Sequence, residues 1–463
     1  MQDRLRPASQ PKTKGGPPLP SDFDVLILGA GMAGLTAARA LAEGGMRVCI
    51  LEARSRVGGR ILSQKVEGGG TVELGAEFVH GRPAELWALI EEVGATAVER
   101  SGAMLRERSP GTLVADDPGD NAMFEPLEQL EDPDQLEKLA REDQTFADWL
   151  AASDVDDELR PGLTAYVEGF NAADAQRISV RSLGIQQKAE DDTEADRSWH
   201  LPGGYAQLPD YLAGHVKALG AAIRLDCEVL GIQWKPGDVR VETTLGEFTA
   251  PRCLVTFPVG VLHQVNRPGG IPITPEPAAI RHARRLAMGH ASRFTMIVST
   301  KYWHFTQLID PQTMGRMSFL FAFSHIPPVW WTSHPDPDAL PALTGWIGGP
   351  RASALEGKTS AQLGSAACAT LAKIFALDEE IVRSNLVATY SHDWAADRFA
   401  QGAYSYVPVG AVDASSAMTQ PEADTFFFAG EHTDITGNWG TVHAAIRSGF
   451  RVATQILKEP AAT

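Results

Sequence analysis

Phe23-Asp24-Val25-Leu26-Ile27-Leu28-Gly29-Ala30-Gly31-Met32-Ala33-Gly34 decides the reading of the fold. Its first six residues form a short β-rich run with few polar interruptions, suited to a parallel strand buried on both faces. Gly29, Gly31 and Gly34 then match GxGxxG, and the pattern from Met32 to about Glu43 predicts a helix ended by Gly44-Gly45. A second strand is predicted over residues 47–51, completing a βαβ unit. In such a turn the first glycine makes the tight bend, the second lets backbone approach a pyrophosphate, and the third lets helix pack on strand. The helix opening, at Met32 and Ala33, offers unpaired N–H groups to phosphate. Glu52 ends the second strand, eighteen residues past Gly34, where an acid binds adenosine ribose hydroxyls. GxGxxG alone is a weak signal that a glycine-rich turn can mimic. Strand, helix, spacing and terminal acid together point to a dinucleotide site.

Outward from this unit, the 463 residues suffice for two domains, or for one domain carrying an inserted second. From about residue 83 the character changes, and over residues 100–200 acidic stretches alternate with short helical patterns, including Gln129 to Trp149 and the charge run Glu190-Asp191-Asp192-Thr193-Glu194. Strand signals return over residues 201–262, a second variable region with the pair Trp330-Trp331 follows, and residues 426–430 read as one more buried strand before a helix over 441–457. The expected architecture is α/β: a Rossmann-type nucleotide-binding domain from residues 21–82, 201–289 and 400–458, interleaved with an α+β substrate-binding domain from 83–200 and 290–399. Residues 1–20, polar and proline-rich with no apolar h-region, read as a disordered tail rather than a signal peptide.

The formal charge is −17. That argues against a nucleic-acid partner, whose phosphates need Lys and Arg, and suits cationic substrates, although acidity also simply keeps proteins soluble. Cys49, Cys227, Cys253 and Cys368 lie far apart with no CxxC, which suggests free thiols in a reducing compartment. The apolar stretch from Val25 reaches Arg39 too soon to span a bilayer. A cytoplasmic protein without a membrane anchor is expected. Histidine spacings show neither HxH nor HExxH, so no metal is expected, and no GxSxG nucleophile appears.

Past Glu52 comes Ala53-Arg54-Ser55-Arg56-Val57-Gly58-Gly59-Arg60, arginines interleaved with glycines in a loop able to wrap phosphate. This stretch resembles the flavin-containing amine oxidases, the group of monoamine oxidases, polyamine oxidases and flavin histone-lysine demethylases. The resemblance extends over residues 21–458. Gly75-Ala76-Glu77-Phe78-Val79-His80-Gly81 is similar to a polyamine-oxidase segment with a histidine near the substrate cleft. Leu201-Pro202-Gly203-Gly204-Tyr205, Thr256-Phe257-Pro258-Val259-Gly260-Val261-Leu262, Gly402-Ala403-Tyr404-Ser405-Tyr406 and Ala429-Gly430-Glu431-His432-Thr433 resemble further family motifs in the family's order. The resemblance implies FAD as cofactor. Gly29, Gly31, Met32, Ala33, Gly34, Glu52, Ala53, Arg54, Gly59, Arg60, Val229, Thr256, Trp394, Gly430, Glu431, Thr441 and Val442 fall at its binding positions. Val229 would meet the adenine, Glu431 the linker or ribityl hydroxyls, and the backbone at Val442 the flavin ring.

Three details concern the flavin. Monoamine oxidases attach FAD through a cysteine just before the tyrosine of the GxYSY segment; here that residue is Ala403, so the flavin is expected to be non-covalent. Many relatives flank the amine with two aromatic rings, of which Tyr404 matches one while Thr441 takes the other position, with Trp439 close enough in sequence to substitute. The lysine the family places near flavin N5 is replaced by Arg293, which is not its equivalent and puts rapid oxygen use in question; an ion pair elsewhere is the alternative for Arg293. His80 and Glu77 would face the cleft, and Glu168 is a candidate for a distal ammonium or a solvated helix acid.

The implied activity is oxidation of a polyamine or an aryl or alkyl amine, with molecular oxygen or another electron acceptor, by a monomer or homodimer. Arg293, Tyr404, Thr441, His80 and Trp439 are the residues expected around the chemistry. An L-amino acid oxidase or dehydrogenase of the same superfamily is the rival enzyme, with Arg82 or Arg293 taking the carboxylate. A catalytically decayed flavin-binding interaction protein is the rival of another class.

Overall fold

The computed structural model describes residues 22–67, 69–115, 124–299, 317–332 and 341–458. The tail expected over residues 1–20 lies outside them. The decisive stretch forms a strand at Val25–Leu28, a helix at Met32–Glu43 and a second strand at Val48–Leu51. These enter a five-stranded parallel sheet ordered 222–224, 48–51, 25–28, 252–255, 426–428. Distant parts of the chain meet there in register: Val25 pairs with both Val48 and Arg252, and Cys253 with Phe426.

Alternation along each strand explains why this sheet is central. Val25 and Ile27 point into one cluster with Leu35 and Leu41 of the first helix, Leu208 and Leu212 of Gln207–Ala218, and Ile446 and Val452 of the last helix, Val442–Lys458. Leu26 and Leu28 point the other way, against Val239, Val241, Val259 and Leu262. Both faces are therefore apolar, which accounts for the continuous hydrophobic run read in the sequence. The first and last helices approach closely at Gly449, where a Cβ would stand 2.6 Å from the Ala33 carbonyl oxygen.

A seven-stranded sheet follows the order 386–391, 291–298, 342–348, 329–332, 317–321, 103–109, 112–115, antiparallel except where 317–321 runs parallel to 103–109. Its strands come from residues 103–115 and 291–391, and helices Arg160–Asn171 and Val180–Asp191 lie in the same intervening part of the chain. The helical pattern read over residues 129–149 resolves into a 3-10 turn, Gln129–Glu131, and helices Pro133–Arg141 and Phe146–Ala152. All four cysteines are free and buried. Among the described residues no helix is long and apolar enough to cross a membrane.

Candidate active site

One continuous cavity of about 710 Å³ runs from the glycine turn to an aromatic chamber beside the seven-stranded sheet. Every residue assigned to the site from sequence lines it except Gly34. Gly34 instead does the packing task of the third glycine: a Cβ there would lie 2.1 Å from the Gly29 carbonyl oxygen. Gly29 itself has φ +110°, in the left-handed region.

At the nucleotide end, Gly31 precedes the first helix with no side-chain cap, and a Cβ on it would meet nothing within 4 Å. The first-turn N–H groups are left to the cavity, a ready anion site. The Glu52 carboxylate accepts the Ala30 N–H at 2.7 Å and the Arg54 N–H at 2.9 Å. A carboxylate has about four acceptor positions, so two remain for hydroxyls. Ala53, Gly59 and Val229 complete this end, and Thr256 closes it from below by donating its hydroxyl to the Leu28 carbonyl at 2.8 Å. Arg54 is less free than the sequence implied. Its guanidinium is paired with Asp397 at 2.6 Å and lies over the Phe399 ring. Arg56 is spent on the loop itself, donating to the carbonyls of Val57, Gly59 and Ile61.

Midway, Glu431 is buried and fully committed. It accepts from Arg60 at 2.9 Å, the Ser405 N–H at 3.2 Å, the Ser405 hydroxyl at 2.6 Å and the Gly440 N–H at 3.0 Å. Burial raises its pKa, but Arg60 and then His432 and Ser405 outweigh that and hold it below the ordinary range. Glu431 thus ties the GxYSY segment to the loop before the last helix. Gly430 precedes it at φ +138°, its N–H donating to the Ser448 hydroxyl at 2.9 Å. Trp394 is fixed by its indole N–H on the Leu74 carbonyl at 2.6 Å. Thr441 caps the last helix, accepting the Ala444 N–H at 3.1 Å, and Val442 and His443 of its first turn line the cavity.

At the chamber, Tyr404 donates its hydroxyl to the Phe170 carbonyl. Its ring packs on Gly440, where a Cβ would come within 2.9 Å of Cδ2. Trp439 lines the same wall with its indole N–H on the Asp434 carbonyl at 3.0 Å. Arg293 projects from strand Ala291–Val298 and is held from two sides, donating to the Gly75 carbonyl at 2.7 Å and to Glu77 at 2.6 Å. Glu77 also accepts the Trp331 indole N–H at 3.1 Å. Burial raises the Glu77 pKa, yet Arg293, His200 and Arg100 outweigh it and keep the carboxylate ionised. Arg293 therefore lines the cavity and is ion-paired at once. His80 edges onto Phe170 at 6.1 Å, and burial pushes its imidazole down to about 4.

Two sequence suggestions do not reach the cavity. Glu168 accepts the Ala175 N–H at 3.4 Å outside it, and Arg82 is exposed, stacked over Trp87 at 4.2 Å and Trp199 at 5.4 Å. Others were missed. Phe319, Phe321 and Phe323 line the chamber at alternate positions while Leu320 turns into the core, so a period-2 reading would have found them. Trp331 and Trp346 join them at 6.1 Å ring separation. Ser182, Gln186 and Glu190 line another wall at a spacing of four, one face of the helix Val180–Asp191.

A doubly covered parallel sheet, a glycine turn feeding a helix, a strand-terminal acid and a chamber opening off the same cavity define a dinucleotide-dependent oxidoreductase. Residues 32–457 match the model of the flavin containing amine oxidoreductases, and the chain belongs to that family, whose cofactor is FAD. Lysine-specific histone demethylase 1 homolog 1 of Arabidopsis thaliana is 26% identical over 469 residues, covering 94% of this chain and 52% of that protein. The chain thus spans about half the length of the curated demethylases it matches. Polyamine oxidase 3 of Oryza sativa subsp. japonica is 27% identical over 461 residues, covering 93% and 88%. The fold is shared with a putrescine oxidase bound to putrescine (TM-score 0.78, 21% identity, 94% and 99% covered). It is shared equally with cyclohexylamine oxidase from Brevibacterium oxydans IH-35A (TM-score 0.78, 21% identity, 94% and 99% covered).

Proposed function

We propose that this chain oxidises an amine, a polyamine or an aryl or alkyl amine, with FAD held non-covalently along the cavity. The observation that carries the reading is the charge balance of the cavity. Arg54, Arg60, Arg293 and Arg398 line it, and each is paired with a carboxylate: Asp397, Glu431, Glu77 and Glu228. A substrate carboxylate finds no uncommitted cation among these, which weighs against an amino-acid oxidase using Arg293. An amine finds aromatic walls that orient it and, being apolar, favour its neutral form.

FAD supplies an electron-pair acceptor at N5. Bound in the cavity, it would take hydride from the carbon α to a neutral amine nitrogen and leave an imine that water hydrolyses to a carbonyl. The chain's residues bind and exclude water. Glu52 and the first-turn amides would hold the dinucleotide, Glu431 fixes the GxYSY segment at Ser405, the backbone at Val442 would meet the flavin ring, and Tyr404, Trp439 and His80 wall the reacting carbon. Burial pushes the His80 imidazole down to about 4, so it walls the site without adding positive charge. Ala403 offers no nucleophile for a covalent bond. Molecular oxygen or another acceptor takes the electrons afterwards.

The same proposal assigns residues 21–82, 201–289 and 400–458 to cofactor binding and 83–200 and 290–399 to substrate. It has the protein act in the cytoplasm as a monomer or homodimer, without nucleic acid, as its net charge of −17 and its buried free thiols favour. The test is product analysis. Incubation with an oxidised amine yields one carbonyl and one reduced acceptor per amine consumed, and acid precipitation releases the yellow flavin into the supernatant. A flavin that stays with the precipitate contradicts non-covalent binding, and benzoate competing where amines do not returns the amino-acid rival.

A further inference from the structure

The arginines of the cavity are matched one to one with acids, but its acids are not all matched with cations. Glu190 lines the chamber from the last turn of the helix Val180–Asp191. The one hydrogen bond to its carboxylate among the described residues comes from Gln186 Nε2, at 2.7 Å, a neutral donor. No ion pair reaches it there, whereas Arg54, Arg60 and Arg293 each sit within 3 Å of a carboxylate. Asp196 lines the same mouth of the cavity and is exposed.

Rings connect this acid to the flavin side. Tyr166 and Phe170, one turn apart on Arg160–Asn171, stack at 5.6 Å with an 11° interplanar angle. Glu190 is close enough to Tyr166 for its charge to oppose ionisation of the phenol, second to burial. Phe170 meets His80 at 6.1 Å, and its carbonyl accepts the Tyr404 hydroxyl. An apolar, ring-lined path thus leads from Tyr404 to a carboxylate without a counter-ion among the described residues. Leaving an acid there is costly, and burial pushes its carboxyl up to about 7 against the Gln186 hydrogen bond.

We infer that Glu190 receives the distal ammonium of a diamine or polyamine whose reacting amine lies beside Tyr404, making it the residue that selects such substrates over monoamines. This rests on the amine reading above. The second ammonium supplies the missing counter-ion, and the methylenes between the two nitrogens lie along Phe170 and Tyr166. A monoamine of equal length leaves Glu190 unpaired.

The test is anaerobic calorimetry on the FAD-loaded protein, comparing each α,ω-diaminoalkane with the n-alkylamine of the same carbon count, while flavin absorbance is followed separately. The best diamine binds at least about tenfold more tightly than its monoamine, and E190Q removes that advantage while changing monoamine affinity by less than about twofold. E190D, with the charge on a shorter arm, shifts the preferred diamine to a longer chain and serves also if E190Q fails to fold. Equal weakening of both classes by E190Q, or no diamine advantage in the unaltered protein, overturns the assignment. Glu190-dependent diamine binding without flavin bleaching instead leaves the assignment standing and removes the amine-oxidation reading. Bleaching by amines with no Glu190 dependence does the reverse.

Discussion

Arg293 shows how one side chain can satisfy two demands. Its planar fork spans the Gly75 carbonyl and the Glu77 carboxylate, at 2.7 and 2.6 Å, which a single ammonium cannot do with the same geometry. Both partners are buried, so removing one strands the other. R293M is therefore expected to cost about 3–5 kcal/mol of stability, and adding E77Q to recover part of it, as read from denaturant midpoints. Equal midpoints for the single and double variants would contradict the pairing. R293K is expected to fold, to keep FAD, and, if the position is the one the resemblance implies for the family's lysine, to reoxidise faster in air than the unaltered protein. At the other end of the cavity, E52A removes a buried acceptor of two N–H groups and the acid placed for the ribose. It is expected to lower FAD affinity by about one to two orders of magnitude, measured by flavin fluorescence on release.

At the scale of elements, the cofactor-binding half was largely legible. The run from Val25, the glycine spacing and Glu52 each obey a local rule, and the strand, helix and strand lie at Val25–Leu28, Met32–Glu43 and Val48–Leu51. The chamber was not, because its walls come from elements whose pairing is non-local. Phe319 lies on a strand parallel to residues 103–109, and Trp331 reaches Glu77 across 254 positions of sequence. Glu190 sat in a charge run to which the sequence reading gave no role; only the four-residue spacing with Gln186 and Ser182 marks it as one face of a helix. Glu168, a candidate for a distal ammonium or a solvated helix acid, does not line the cavity. The contact between first and last helices makes a further prediction. G449A places a Cβ 2.6 Å from backbone at Ala33, so the helices must part. It is expected to lower stability by about 1–3 kcal/mol and to loosen FAD together with it; a variant as stable as the parent would show the two helices are not in this contact.

Across the whole molecule, buried histidines set the acid limit of stability. Burial pushes His80 and His432 down to about 4 and His443 to about 3, against 6.5 for a free imidazole. Unfolded, these groups bind protons the folded state refuses, so their contribution is complete above pH 6.5 and is lost as pH falls through 4. Glu73, pushed up to about 7 by burial, works with the opposite sign between 4.5 and 7. H432L is accordingly expected to flatten the fall in Tm between pH 6.5 and 4 relative to the parent at each pH, and an unchanged slope would contradict neutral burial of that ring. The central claim is that amines deliver electrons to a flavin in this cavity. It is tested most directly by mixing the FAD-loaded protein anaerobically with polyamines, aryl-alkyl amines and amino acids and following flavin absorbance. The account predicts bleaching by amines, at a rate that rises with pH towards the amine pKa of about 10, and none by amino acids. A flavin that dithionite bleaches but no amine does would contradict it.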